Sequence, residues 1–148
     1  MAHRSFSLAE VERLIPTLER VFMHVLQLRA ALRREEQALD RLGIKLSRDV
    51  LDEGVEREPP EVRQAKAMFR AYYQALSEEL ARVNELGGEV KDLDAGLVDF
   101  PGRRGDEDIL LCWKLGEKKI AFWHTTESGF AGRRPIDDLV PREPQRLD

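Results

Sequence analysis

The chain contains one cysteine, Cys112, which excludes an internal disulfide and every zinc motif built from several cysteines. Such cysteine usage predicts a reducing, cytoplasmic compartment. No run approaches the roughly 18 apolar residues of a membrane span, and Met1–Phe6 lacks the apolar stretch of a secretory signal. Neither sign of charge dominates: 24 Lys and Arg stand against 28 Asp and Glu, a net charge of −4 over 148 residues. The basic footprint of a nucleic-acid binder is therefore missing. Also absent are G-x-x-x-x-G-K-S/T, G-x-G-x-x-G after a strand, H-E-x-x-H and G-x-S-x-G, which removes the familiar nucleotide, zinc-protease and serine-hydrolase signatures. No repeat or low-complexity tract interrupts the chain.

Glycine is scarce before residue 87, where only Gly43 and Gly54 occur, and frequent after it. Gly87-Gly88 is a strong helix stop, and it divides a helical half from one rich in turns. Ser7-Leu8-Ala9-Glu10 is a capping box that opens the first helix. Leu8, Val11, Ile15, Leu18, Phe22, Val25, Leu32 and Leu39 recur at spacings of three and four, interrupted at Arg29 and Glu36. Leu14, Val21, Leu28 and Leu42 widen that apolar face. Pro16 falls inside the pattern and predicts a kink after the second turn, and Gly43 is the expected stop. Residues 44–60 form a connector with a helical turn expected after Ser47. Pro59-Pro60 starts a second helix to about Leu86, with a seam of Val62, Phe69, Tyr73, Leu76, Leu80 and Val83 and a second face of Ala65, Met68, Tyr72 and Ala75. Two such helices should pair as an antiparallel hairpin.

Beyond Gly88 the period changes to two. Ile109, Leu111, Trp113 and Leu115 alternate with Leu110, Cys112 and Lys114, and Ile120, Phe122 and His124 alternate with Ala121 and Trp123. Gly116–Lys119 is the expected hairpin link. Leu97–Phe100, stopped by Pro101-Gly102, makes a third strand and Val90–Leu93 a fourth. The expected architecture is α+β in a single domain over 1–148: a helical hairpin over 7–86 packed on a small antiparallel sheet over 87–136, with a frayed tail at 137–148. Because the Ile109–Leu115 strand is apolar on both faces, one face should meet the helices. The other needs a cover that a second subunit could supply, and a homodimer through the helices or the uncovered sheet face is the expected assembly.

Chemistry-bearing side chains concentrate in the last third: Lys91, Asp92, Asp94, Asp99, His124, Glu127 and Arg133, at strand ends and in glycine-rich turns. His124-x-x-Glu127 with Asp99 offers one nitrogen and two carboxylates to a divalent metal. Asp99 and His124 alternatively make an acid/base pair, while Arg133 suits an anionic group. The plainer account is that Asp92, Asp94 and Asp99 cap turns and His124 ends a strand in a hydrogen bond. A lone histidine, with no second at ligand spacing, favours it. Cys112 reads first as a small core residue and only second as a nucleophile. Trp113, Trp123, Phe122 and Phe130 read as core before they read as a ligand platform. Arg13, Arg20, Arg34 and Arg41, with Gln27, line one heptad position of helix one. Interleaved acids make this a solvated face rather than a nucleic-acid strip.

Three blocks in order resemble one uncharacterised bacterial family, domain of unknown function 2203: Lys91–Pro101, Leu111–Glu117, and Trp123-His124 followed by Gly129–Pro135. The opening Ser7–Leu18 is similar too. The resemblance marks Lys91, Asp92, Gly96, Asp99, Trp113, Glu117, His124, Gly129, Phe130 and Arg133 as characteristic positions. It implies no reaction. Relatives often place an acidic residue directly after the histidine, where this chain has Thr125. The sequence thus predicts a non-enzymatic, oligomeric interaction or binding protein, with a metal- or anion-binding module or hydrolase around Asp99, His124 and Arg133 as the alternative.

Overall fold

The computed structural model describes residues 4–47 and 57–139. Helix α1 spans Leu8–Arg41 and helix α2 Pro60–Leu86; strands β1 (Glu89–Asp92), β2 (Leu97–Arg104), β3 (Glu107–Lys114), β4 (Phe122–Thr125) and β5 (Arg134–Pro135) follow. The chain is α+β, as its two periodicities require. It divides into two compact units, Met23–Ala81 and the combination of Met1–Phe22 with Arg82–Asp148.

Helix α1 begins where its capping box dictates. The Ser7 N–H donates to Glu10 Oε1 at 3.1 Å, and the Glu10 N–H donates to Ser7 Oγ at 3.1 Å. The same bonds, led by the Ser7 backbone N–H, hold the Glu10 carboxyl below its ordinary range. The helix is continuous through the exposed Pro16. It ends at Gly43 (φ +78°), where the Gly43 N–H reaches Asp40 O at 2.9 Å and the Ile44 N–H reaches Leu39 O at 2.9 Å. This is a Schellman cap, and Ile44 packs back on Leu39 as that motif favours. Helix α2 ends identically at Gly87 (φ +103°), with Gly88 N–H to Val83 O at 3.1 Å.

In the Met23–Ala81 unit the helices run antiparallel. His24 Nδ1 lies 3.2 Å from Glu79 Oε1, and Leu39 clusters with Val62 and Ala65, with Ile44 and Leu46 against them. The expected α1 stripe is the one buried, although Leu42 is exposed. The α2 stripe differs. Tyr73 is 59% exposed, whereas Lys66 and Glu79 are buried. Lys66 pairs with Glu58 and Glu79 with His24, so polar side chains occupy stripe positions that a count of apolar residues passes over. The turn expected after Ser47 lies outside the described residues.

In the other unit the five strands form an antiparallel meander in chain order. Val98, Phe100, Ile109, Leu111, Trp113 and Trp123 share one face and are buried. Phe22 of α1 meets Trp113 with ring centroids 5.7 Å apart, and Phe6 meets Phe100 edge-on at 5.5 Å. Both tryptophans are core. Strand β2 does not stop at Pro101-Gly102 as expected but continues to Arg104. Strand β1 pairs only as far as Asp99, so the missing N–H of Pro101 interrupts no ladder on that side, and Pro101 O accepts the Phe6 N–H at 2.8 Å. Beyond β4, Arg134–Pro135 adds a fifth strand inside the expected sheet region, and the 3₁₀ turn Ile136–Asp138 runs into the start of the expected tail. Residues 140–148 lie outside the description.

Gly87 and Gly105 both need positive φ, but a Cβ at Gly87 would sit 2.2 Å from Phe6 Cζ while one at Gly105 meets nothing within 4 Å. Gly87→Ala adds a clash of order 1–3 kcal/mol to a left-handed penalty of about 1–2 kcal/mol that both positions share. Urea denaturation should show Gly87→Ala losing clearly more stability than Gly105→Ala; equal losses would contradict this packing.

Candidate functional site

The second face of the sheet carries Leu97 and Asp99 from β2, Leu110 and Cys112 from β3, and Phe122 and His124 from β4, because register pairs Asp99 with Cys112, Cys112 with Phe122, and Leu110 with His124. That register starts at the two-residue turn Gly105-Asp106, in which Gly105 takes φ +60° at the first position. Side chains from three neighbouring strands thereby meet in one patch. Asp99 (3% exposed), Cys112 (1%) and His124 (2%) are all buried. Their ligand atoms lie within 4.8 Å of one another.

His124 fixes the chemistry of the patch. Its Nδ1 is 2.8 Å from Thr125 O, a carbonyl that can only accept, so Nδ1 carries a hydrogen. Its Nε2 is 3.1 Å from each Asp99 carboxylate oxygen. A carboxylate also only accepts, so this contact requires a positive bridge between nitrogen and oxygen, either a proton or a metal ion. Both imidazole nitrogens are committed, which leaves none to act as general base on a substrate. Burial, followed by the Asp99 charge and then partly offset by Arg133, pushes the Cys112 thiol up to about 12. Cys112 is a protonated thiol here, not a standing nucleophile.

A cavity of about 170 Å³ opens on this patch, lined by Lys91, Leu97, Asp99, Leu110, Cys112, His124, Thr126, Gly129 and Phe130. The segment after β4 folds over it. Thr125 Oγ1 accepts the Ser128 N–H at 3.1 Å and starts the turn. Arg133, stacked on Phe122 at 4.2 Å and Phe130 at 4.8 Å, donates through Nη2 to Glu117 Oε1 at 3.1 Å. Glu117 in turn accepts the Lys114 N–H at 2.7 Å, and its carbonyl accepts the Trp113 indole N–H at 2.9 Å. Thr126, Gly129 and Phe130 of this segment line the cavity beside the face.

Of the residues marked in the sequence, Lys91, Asp99, His124, Gly129 and Phe130 line the cavity. Asp92 caps its own turn, accepting the Asp94 and Ala95 N–H groups at 2.9 and 3.0 Å. Arg133 donates through Nη2 to Glu117 and stacks on the two phenylalanines, and its buried Nε has no hydrogen-bond partner. Glu127 is exposed, and among the described residues the buried donors that converge are Asp99, Cys112 and His124. The plainer account therefore holds for Asp92 and fails for Asp99, which caps no turn and faces His124. The Gly105-Asp106 turn was the signal that could have put Cys112 beside Asp99. Arg13, Arg20, Gln27, Arg34 and Arg41 are all exposed, as a solvated face requires.

The family model described as Uncharacterized conserved protein (DUF2203) matches residues 4–136. The chain belongs to that family. Its match takes in both helices, all five strands and each member of the buried patch. No curated protein and no solved structure matches the chain. Among the described residues no helix is long and apolar enough to cross a membrane.

Because the folded thiol is shifted above the 9.0 of a free cysteine to about 12, the neutral form favours folding at low pH, and that contribution is lost as pH rises from 9 towards 12. Chemical denaturation across this window should show a steeper alkaline decline for the native chain than for Cys112→Ala. Identical declines would place the thiol in a different environment.

Proposed function

We propose that this family member acts by binding rather than by turning over a substrate, and that its ligand is one divalent ion of the zinc class held by Asp99, Cys112 and His124. The observation that carries the reading is the Nδ1–H donated to Thr125 O at 2.8 Å, which aims the opposite nitrogen at the carboxylate. Metal-binding histidines are oriented in this manner by an acceptor on their second nitrogen. The 3.1 Å between Nε2 and the carboxylate oxygens is close to the edge of about 3.3 Å that a tetrahedral ion with bonds near 2.0 Å spans. Carboxylate and thiolate together neutralise a divalent charge, which matters in a patch removed from water. One thiolate, one imidazole and one carboxylate suit zinc, cobalt or ferrous iron and not magnesium or calcium.

Calorimetric titration of chelator-treated protein with Zn²⁺ should give one ion per chain. Asp99→Asn, Cys112→Ser and His124→Gln should each weaken it by more than about 100-fold, beyond the usual loss for outer partners, while Glu127→Gln should leave it unchanged. Zinc should also raise the melting temperature of the native chain and not of the Cys112→Ser variant. No uptake, or uptake indifferent to Cys112, overturns the reading.

A second reading, docking of a protein partner or another copy through the hairpin, is supported by Met23 (57% exposed), Leu26 (41%) and Tyr73 (59%) on the helices. If it holds, Met23→Glu with Tyr73→Glu lowers the mass measured by light scattering while the circular dichroism is kept. An unchanged mass counts against it.

A further inference from the structure

We infer that the bound ion takes its fourth ligand from outside the chain, and that this ligand is a small organic monocarboxylate; the inference rests on the metal reading above. Three donors converge on the site among the described residues, and an ion of this class completes a tetrahedron with one more. All three donors line the cavity of about 170 Å³, which would receive that ligand. That is room for roughly five waters at about 30 Å³ each, well beyond what a single coordinated water needs. Its walls select what enters. Leu97, Leu110 and Phe130 offer apolar surface that water wets poorly, and Phe130 is half exposed at the opening. Lys91, which carries an ammonium, lines the same cavity. Glu89 holds that ammonium at 3.1 Å, but the pair is exposed and worth little in water, so it yields to a better-shielded anion. The protein donors already neutralise the ion, so one further negative charge is matched by Lys91 alone. A carboxylate with a short hydrocarbon body answers all of these features: oxygen on the ion and near Lys91, carbon against the leucines and Phe130. Binding displaces a coordinated water and breaks no bond in the ligand.

The test uses the full chain loaded with Co²⁺, whose visible bands and thiolate-to-cobalt charge-transfer band report ligation. Acetate, propionate and butyrate are titrated at constant ionic strength, with chloride and inorganic phosphate as comparison anions. The bands should shift saturably with the carboxylates, tightening roughly threefold to fourfold per added methylene. Lys91→Met should weaken the whole series roughly twofold to fivefold, and Phe130→Ala should flatten the dependence on chain length. Cobalt bands that ignore carboxylates, or that answer phosphate or chloride equally, overturn the monocarboxylate and leave the metal reading standing. Absence of the cobalt bands removes both.

Discussion

Asp99 and His124 are held out of water on the sheet face opposite the helices, and a buried carboxylate must be answered there by positive charge. Breaking such a pair by removing one partner typically costs about 3–5 kcal/mol, because the survivor has no solvent to turn to. Much of the surrounding structure serves that condition. The Thr125 carbonyl fixes the ring, and the register of three strands sets the carboxylate against Nε2. Glu117 joins the β3–β4 turn to Arg133.

A strand that is buried on both sides lets one short sheet do two jobs. The odd positions of β3, Ile109, Leu111 and Trp113, meet the aromatic layer that includes Phe22, whereas Cys112 looks into the polar patch. Moving the register by one residue would send Trp113 towards the cavity and Cys112 into the apolar layer. The glycines guard this arrangement from the ends. At Gly88 a Cβ would fall 2.8 Å from both Val98 and Phe100, and at Gly96 it would fall 2.6 Å from Leu115. The entry to β1 and the turn into β2 are thus set by close approach of backbone to side chain, and the register follows from them.

What was legible in the sequence was whatever depends on neighbours a few residues apart. The Ser7–Glu10 box, the caps at Gly43 and Gly87, the α1 stripe and the alternation of β3 are all local patterns, and each is found where it was expected. Pro101 misled because its effect depends on whether a strand lies beside it, and β1 ends too early to be interrupted. The α2 stripe was blurred by Lys66 and Glu79, whose burial depends on partners elsewhere in the chain. Asp99 and His124 were recognised as site residues by type, but Cys112 joined them only through cross-strand register. Glu127 was favoured by sequence proximity to His124, yet the turn begun by Thr125 leaves it in solvent.

The same geometry also separates the functional readings. In an acid/base pair of the usual kind the carboxylate orients one imidazole nitrogen and the other faces the substrate. Here the orienting acceptor is a main-chain carbonyl, and the carboxylate occupies the nitrogen that would do the work. A nucleophilic cysteine would need a lowered thiol, but burial and the Asp99 charge raise it. The three donors instead suit the proposed ion, with which the raised thiol would become a neutralising ligand, the carboxylate would share in balancing the charge, and the Thr125 carbonyl would strengthen the ring's remaining lone pair.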